Sequence, residues 1–378
     1  MAELVLKGGR VIDPSQNLDG VADVVFADGR VKAVGRDAAH ARDAELLDAK
    51  GLIVTPGLID LHTHVYWGGT SLGVDAAALA RHSGTTTFVD AGSAGPGNFH
   101  GFRKHVIEPS PVRILPYLNI SFPGIFAFSA SVMVGECADV RLLDLRECRK
   151  VAEANRDLVV GIKVRVGKGA GGSSGVAPLD MALEVAESVG LPVMAHLDFP
   201  PPSRREVMTR LRKGDVLTHC FRPFPNAPTK PNGGVREEIL EARARGVIFD
   251  IGHGQGSFGF GTTRAMLEAG FLPDVISSDV HILSIDGPAF DLLHTMSKFL
   301  VLGVTLPTVI RAATASPAHA IGRPDLGTFK PGSVGDATIL AIEEGQFTYH
   351  DVLGEPFQGT KKLAAKGVVL GGRWWHPA

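Results

Sequence analysis

The sequence predicts an α/β fold: a closed (β/α)8 barrel of the TIM type, with a smaller β domain assembled from both ends of the chain. Three observations carry that expectation. After Pro56-Gly57, eight short apolar runs alternate with longer amphipathic stretches. Before that point, and again from Leu326 onward, β-branched runs are broken by Gly and Asp with no helical periodicity. The length of 378 residues suits one large domain with a small satellite.

The amino-terminal β texture is ELVLKGGRVID, ADVVFADGRVKAVG and AELLDAKGLIVTP. Asp28-Gly29 lies between VVF and RVKAV and reads as a hairpin turn, because both central residues of that turn need positive φ. Barrel strands are expected at 58–64, 86–90, 113–119, 159–166, 192–196, 215–219, 247–251 and 275–279. Helical spacing is clear over 141–155, 179–189, 204–212, 235–245, 262–269 and 288–302, with Gly246 closing the fourth of these. Helices after the first three strands are less legible, and 122–135 reads as a long loop rich in Gly, Ser and aromatic residues.

Composition narrows the function classes. Hydrophobic residues make up 44%, enough for a sizeable core, and 38 basic against 40 acidic residues leave no basic excess for nucleic acid or a membrane surface. The cysteines are Cys137, Cys148 and Cys220, an odd number with no CxxC pair, which argues against a disulfide framework or a cysteine-built zinc site. No apolar signal-like segment opens the sequence, and no run of about 18 apolar residues occurs, so a cytoplasmic protein acting on a small molecule is expected.

The strongest local signal is Leu58-Ile59-Asp60-Leu61-His62-Thr63-His64. Residues two apart on a strand share a face, so His62 and His64 project together from the carboxyl end of the first barrel strand. Barrel active sites sit at that end, and two convergent imidazoles suit a divalent transition ion. His196 closes PVMAH, His219 closes DVLTH and Asp279 closes VISSD, all at equivalent strand ends. Each alone fits a structural hydrogen bond; together on one rim they point to a site.

Lys163 lies in the β-branched run VVGIKVRV, where a lysine facing the barrel interior is expensive unless paired or neutralised. It either forms a salt bridge at the strand end or reacts with CO2 to give a carbamate able to bridge two metals. Arg165 shares its face and either anchors an anionic substrate or pairs with a rim carboxylate. Tyr117 and Asn119 alternate inward on the third strand and are expected to line the pocket. His281 either touches substrate or faces a loop. His253 sits in GHGQGS, which lacks the GK[ST] ending of a phosphate loop; its glycines either let the loop approach a ligand closely or merely turn tightly, the second being favoured. Cys220 reads as a buried neighbour of His219, with no base placed to activate it.

At these residues the chain resembles the amidohydrolase superfamily, and in particular its dihydroorotase-like and D-aminoacylase-like members. GLIVTPGLIDLHTH is similar to the family's lead into the barrel, and TASPAHAIGRPDLGTFKPGSVGDATIL to its exit, so the resemblance spans nearly the whole chain. It implies a barrel over 55–324 and a composite β-sandwich from 1–54 and 325–378. It implies that His62, His64 and Asp279 bind one divalent ion and His196 and His219 a second. Carboxylated Lys163 would bridge them, with zinc the expected metal and manganese or iron the alternatives. Two cations sharing a water would populate hydroxide near neutrality, and Asp279 would carry its proton to the leaving group.

One departure matters. Dihydroorotases usually extend the motif to HxHxR, whose arginine binds the substrate carboxylate, whereas this run is His62-Thr63-His64-Val65-Tyr66-Trp67. The sequence is closer to a subgroup associated with deacetylating acylated α-hydroxy or α-amino acids, such as acetylated mandelate. Arg165 or Arg222 then becomes the candidate for the carboxylate, with His281 and Asn119 as further substrate contacts. Cyclic amide hydrolysis is the alternative reaction. A mononuclear deaminase would lack the bridging lysine, and a non-catalytic binding protein of this lineage would lack the full ligand set. Family members are commonly homo-oligomers, but no interface is legible.

Overall fold

Parallel pairing in strict chain order builds the larger sheet. In the computed structural model, which describes residues 3–223 and 225–375, its strands are Leu58–Thr63, Thr85–Ala91, Arg113–Asn119, Gly161–Val166, Val193–Leu197, Val216–Leu217 and Ile248–Phe249. The first two are buried along their whole length, as expected of strands covered on both faces. The eighth position makes only single parallel bridges, Asp250 to Val275 on one side and Thr63 to Val280 on the other. With Asp279 N–H donating to His62 O (2.7 Å) and His64 N–H to Val280 O (3.0 Å), those bridges join last to first and close the barrel.

The expected strand at 275–279 is therefore irregular, and the sixth and seventh are short. The reason is local: His219, Gly252 and Asp279 have φ of 61°, 46° and 48°, which no extended strand accommodates. Ile59, Leu115, Tyr117, Met194, Val216 and Val275 belong to one buried cluster that plugs the barrel interior. A larger cluster fills the layer between the strands and the surrounding helices, including Ala177–Val189, Glu237–Arg245 and Leu292–Val301. Gly246 ends the second of these in the left-handed conformation. The third starts later than the apolar spacing suggests, because the Asp291 carboxylate caps it by accepting from His294 N–H at 2.7 Å. The helix expected over 204–212 is confined to Arg204–Met208. The less legible region after the first strand holds Ala76–Ser83, capped by Asp75 and Gly84. Within the loop 122–135, Ala127–Phe128 and Met133–Val134 pair as a short hairpin.

Both ends of the chain share the second sheet. Leu4–Asp13 pairs with Leu18–Ala27, with Glu45–Asp48 and with Ile53–Pro56. Ile53–Pro56 pairs in turn with Ala337–His350, which pairs with Pro356–Leu370. With Arg30–Gly35 and Arg373–Trp375 at its edges, these strands form one eight-stranded hydrogen-bonded sheet with its own core around Leu6, Val24, Phe26, Val54, Phe329 and Ile339. It touches the barrel at the helix Leu292–Val301, where Leu363 N–H donates to Ser297 Oγ at 2.9 Å. Among the described residues no helix is long and apolar enough to cross a membrane.

Candidate metal centre

The carboxyl ends of the barrel strands bring the four expected histidines into an unbroken arc. Ring centroids are 5.4 Å apart for His64 and His62, 5.0 Å for His62 and His219, and 4.5 Å for His219 and His196. Asp279 Oδ1 lies 3.3 Å from Nε2 of both His62 and His64. Donors about 2.0–2.1 Å from a tetrahedral ion stand roughly 3.3–3.4 Å apart, so this trio has the spacing of a coordination shell. Lys163 is fully buried and its Nζ has no hydrogen-bond partner. Its charge is felt at His62, His64, His219 and Asp279, which places it against the same group. A buried amine with no partner beside carboxylate and imidazole donors fits a centre completed by cations.

Each histidine is held from behind. His62 Nδ1 is 2.7 Å from Thr218 Oγ1, whose hydroxyl donates to Asp250 Oδ2 at 2.7 Å. The hydroxyl proton is thus committed, so His62 donates from Nδ1 and keeps the Nε2 lone pair inward. His219 Nδ1 donates to Gly252 O at 2.7 Å, and His64 Nδ1 meets Ser93 Oγ at 2.9 Å. His196 Nε2 is 3.5 Å from the Asp198 carboxylate, which accepts from Gly169 and Ala170 N–H at 3.0 Å each. Burial pushes His64 and His196 down to about 3 and holds His62 and His219 well below the usual imidazole range. All four are therefore neutral, the form that ligates metal. Burial also pushes the Lys163 amine down to about 8 and the Asp279 carboxyl up to about 6.

Two of these residues sit on left-handed backbone: His219 at φ 61° and Asp279 at φ 48°. The following loop presses close to both. A Cβ at Gly254 would come within 2.2 Å of Asp279 Oδ2, and one at Gly252 within 2.8 Å of His219 Nδ1, so only glycine fits at either place.

A cavity of about 360 Å³ opens over the arc. His62, His64, His196, His219 and Asp279 line one side, with Arg165, Arg222, Gln255, Ser257 and His281 around them and Leu72, Phe128, Met133 and Phe199 as the apolar wall. Arg165 is already engaged: Nε and Nη2 reach both oxygens of the buried Glu136 at 2.8 and 2.9 Å. Of the two readings open for Arg165, pairing with a carboxylate is the one observed. Arg222 is buried at the cavity wall, where burial pushes its guanidinium down to about 10 against the pull of Asp198 and Asp279. His281 lines the cavity and lies edge-on to Phe128 at 5.3 Å.

Asn119 corrects the expectation of a substrate contact. Its Nδ2 donates to Gly92 O at 3.0 Å and its Oδ1 accepts from Ser121 N–H at 2.9 Å, so both ends of the amide are tied to backbone, and the side chain does not line the cavity. Tyr117 does not line it either; its ring lies in the buried plug, where a Cβ at Gly161 would strike it. Cys220 is buried, with its thiol pushed well up by that burial, in keeping with an inert neighbour of His219. Sequence reasoning missed Thr218, Asp250, Asp198 and Ser93. Faint signals existed for three of them: Asp250 ends a barrel strand run, Asp198 follows His196 by two, and Thr218 precedes His219.

A closed parallel barrel with neutral imidazoles, a carboxylate and a lone amine gathered at its strand ends has the architecture of a metal-assisted hydrolase. A sequence model of the amidohydrolase family matches residues 53–250. A deacetylase from Brucella anthropi is 34% identical over 94% of this chain and 88% of its own length. A deacetylase from Agrobacterium fabrum is 33% identical over 92% and 85%. The chain belongs to the amidohydrolase family and is a hydrolase. Among solved structures, an adenine deaminase superposes with a TM-score of 0.92 at 28% identity over 99% of this chain and 100% of that one. A dihydroorotase superposes with a TM-score of 0.89 at 31% identity over 99% of both chains.

Proposed function

We propose that the protein is a binuclear metal-dependent hydrolase that removes an acyl group from a small carboxylate-bearing substrate. The substrate class is an O-acetyl α-hydroxy acid or an N-acyl amino acid. The observation that carries this reading is the arc of four neutral histidines closed by Asp279, with the partnerless Lys163 amine against it. His62, His64 and Asp279 hold one ion, and His196 and His219 hold the other. Zinc suits this imidazole-rich donor set. Addition of CO2 to the Lys163 amine would form an N–C bond and release one proton, turning the side chain into an anionic oxygen donor for the centre.

A pair of divalent ions supplies an acidified water and an electrophilic pull on the acyl oxygen. The chain does the rest. Thr218, Ser93, Gly252 O and Asp198 fix the imidazole orientations, so the inner nitrogens need not reorganise. Asp279 takes the proton of the attacking water and delivers it to the leaving oxygen or nitrogen. Arg222 holds the substrate carboxylate, since its buried guanidinium lines the cavity beside His219 and Asp279. His281 contacts the substrate from the cavity wall.

The two relatives named as deacetylases, each similar over more than nine-tenths of this chain, support an open-chain acyl substrate. The dihydroorotase structure supports a second reading, cyclic amide hydrolysis. Tyr66 weighs against it. It stands where HxHxR would supply arginine, and it stacks on Phe102 (4.5 Å) with its hydroxyl donating to Asn98 O, away from the cavity.

The test is a metal analysis paired with a hydrolysis screen of acetylated α-hydroxy acids, N-acyl amino acids of both hands and cyclic ureides. Two equivalents of divalent metal and turnover of an open-chain acyl acid are expected. Turnover confined to cyclic ureides would overturn the substrate class, and a protein unable to bind divalent metal would overturn the centre.

A further inference from the structure

Lys298 is the other fully buried lysine of the barrel, and the chemistry above does not use it. It projects from the helix Leu292–Val301 into a site with three acceptors. Its Nζ lies 2.7 Å from His253 Nε2, 2.8 Å from Pro288 O and 2.7 Å from His350 O. An ammonium has three protons, and all three are placed. His350 ends the strand Ala337–His350, so one of the three contacts reaches the sheet built from the chain termini.

The second contact leads toward the metal centre. His253 is fully buried and stacked on Phe258 at 4.6 Å. Its Nδ1 lies 2.9 Å from Gly254 O, and a carbonyl only accepts, so Nδ1 carries the proton and Nε2 receives from Lys298. The loop fixed in this way is the one that touches the ligands. Gly252 O accepts from His219 Nδ1, and Gly254 lies against the Asp279 carboxylate. His253 and Gly254 N–H also bond Ser277 O and Ser278 O, on the segment that carries Asp279.

We propose that Lys298 is a positioning residue for the metal centre. Through His253 it locks the loop 252–254, and with it the orientation of His219 and Asp279, to the terminal sheet. This inference rests on the binuclear reading of the site. The physical case is one of cost. A buried ammonium is expensive even when fully bonded, and an apolar side chain would fill the same helix position without that cost. Methionine would leave the helix packed but would free the imidazole, and the loop would lose its tie to the terminal sheet while keeping its bonds to Ser277, Ser278 and His219.

The experiment uses the full chain loaded with cobalt, whose visible spectrum reports ligand geometry independently of turnover. Wild type is compared with Lys298→Met and with His253→Phe, which keeps the ring stack on Phe258 and removes both the Nε2 acceptor and the Nδ1 donor. Both variants are expected to show an altered cobalt spectrum and about tenfold weaker binding of one equivalent, the range seen for outer-shell losses. They should lose kcat with little change in KM. His253→Gln, which can both accept and donate, is expected to restore part of the spectrum. Wild type holding two equivalents, with both variants unchanged in spectrum and affinity, would overturn this inference and leave the binuclear reading standing. Wild type holding no cobalt would overturn both.

Discussion

The two sides of the cavity are built in opposite ways. On the histidine side, His62, His64 and His219 each have a partner for the outer nitrogen, drawn from a different strand or its following loop. On the facing side, Leu72, Phe128, Met133 and Phe199 come from loops and a short hairpin, and Met133 and Phe199 are 57% and 43% exposed. The first side is over-determined and the second is adjustable. Reaction chemistry is thus lodged in the barrel frame, and choice of substrate in the segments least constrained by it.

The sharpest way to break that contrast is Asp279→Asn. It should cut kcat by about 10²–10⁴ by removing the proton carrier while metal content stays near wild type. Steady-state kinetics alongside metal analysis checks both halves, and full turnover in the variant would strip Asp279 of its role. Next comes Arg222→Met. A hydrogen bond to a charged group contributes about 1.5–3 kcal/mol, so KM for an acyl acid should rise roughly 10–100-fold. The methyl ester of the same substrate should show little change; an equal loss for acid and ester would remove Arg222 as the carboxylate anchor.

Thr218→Val tests the over-determined side at lower amplitude. It leaves His62 Nδ1 without its hydroxyl partner, and metal affinity should fall about 10-fold in a chelator competition. An unchanged affinity would show that the imidazole needs no support from behind. The smallest effect belongs to the adjustable side. Phe128→Ala and Met133→Ala should change KM about fivefold, with a different ranking of substrate side chains and no change in bound metal, since these partly exposed side chains forfeit only about 1 kcal/mol of apolar contact. If either variant lost metal, the division between the two sides would fail.

What could be read in the sequence follows the same division. His62, His64, Lys163, His196, His219 and Asp279 were legible because strand ends of a barrel are equivalent places, and polar residues recurring there stand out against apolar runs. The third strand was legible to its ends, 113–119, because its buried run is unbroken. The eighth was misjudged in form, because a left-handed Asp279 interrupts extension and no composition rule announces it. Asn119 and Tyr117 shared an inward parity with true cavity residues, yet parity does not say how deep a side chain lies or which backbone groups claim it. Arg165 was ambiguous for a similar reason: Glu136, its partner, comes from the loop whose path the sequence does not encode in any periodic signal. The Lys298 clamp spans contacts 45 and 52 residues away, beyond local pattern altogether.

The inverted main-chain geometry at His219 and Asp279 restricts what either position can become. A residue lacking a short polar side chain or an absent Cβ incurs roughly 1–2 kcal/mol there before its chemistry is considered. Asparagine tolerates that conformation, so the amide variant isolates the carboxylate, whereas valine would displace donor and peptide together. Randomising those two codons in a search for new reactivity would therefore return a short alphabet of aspartate, asparagine, histidine and glycine, filtered by torsion angle ahead of any selection for turnover.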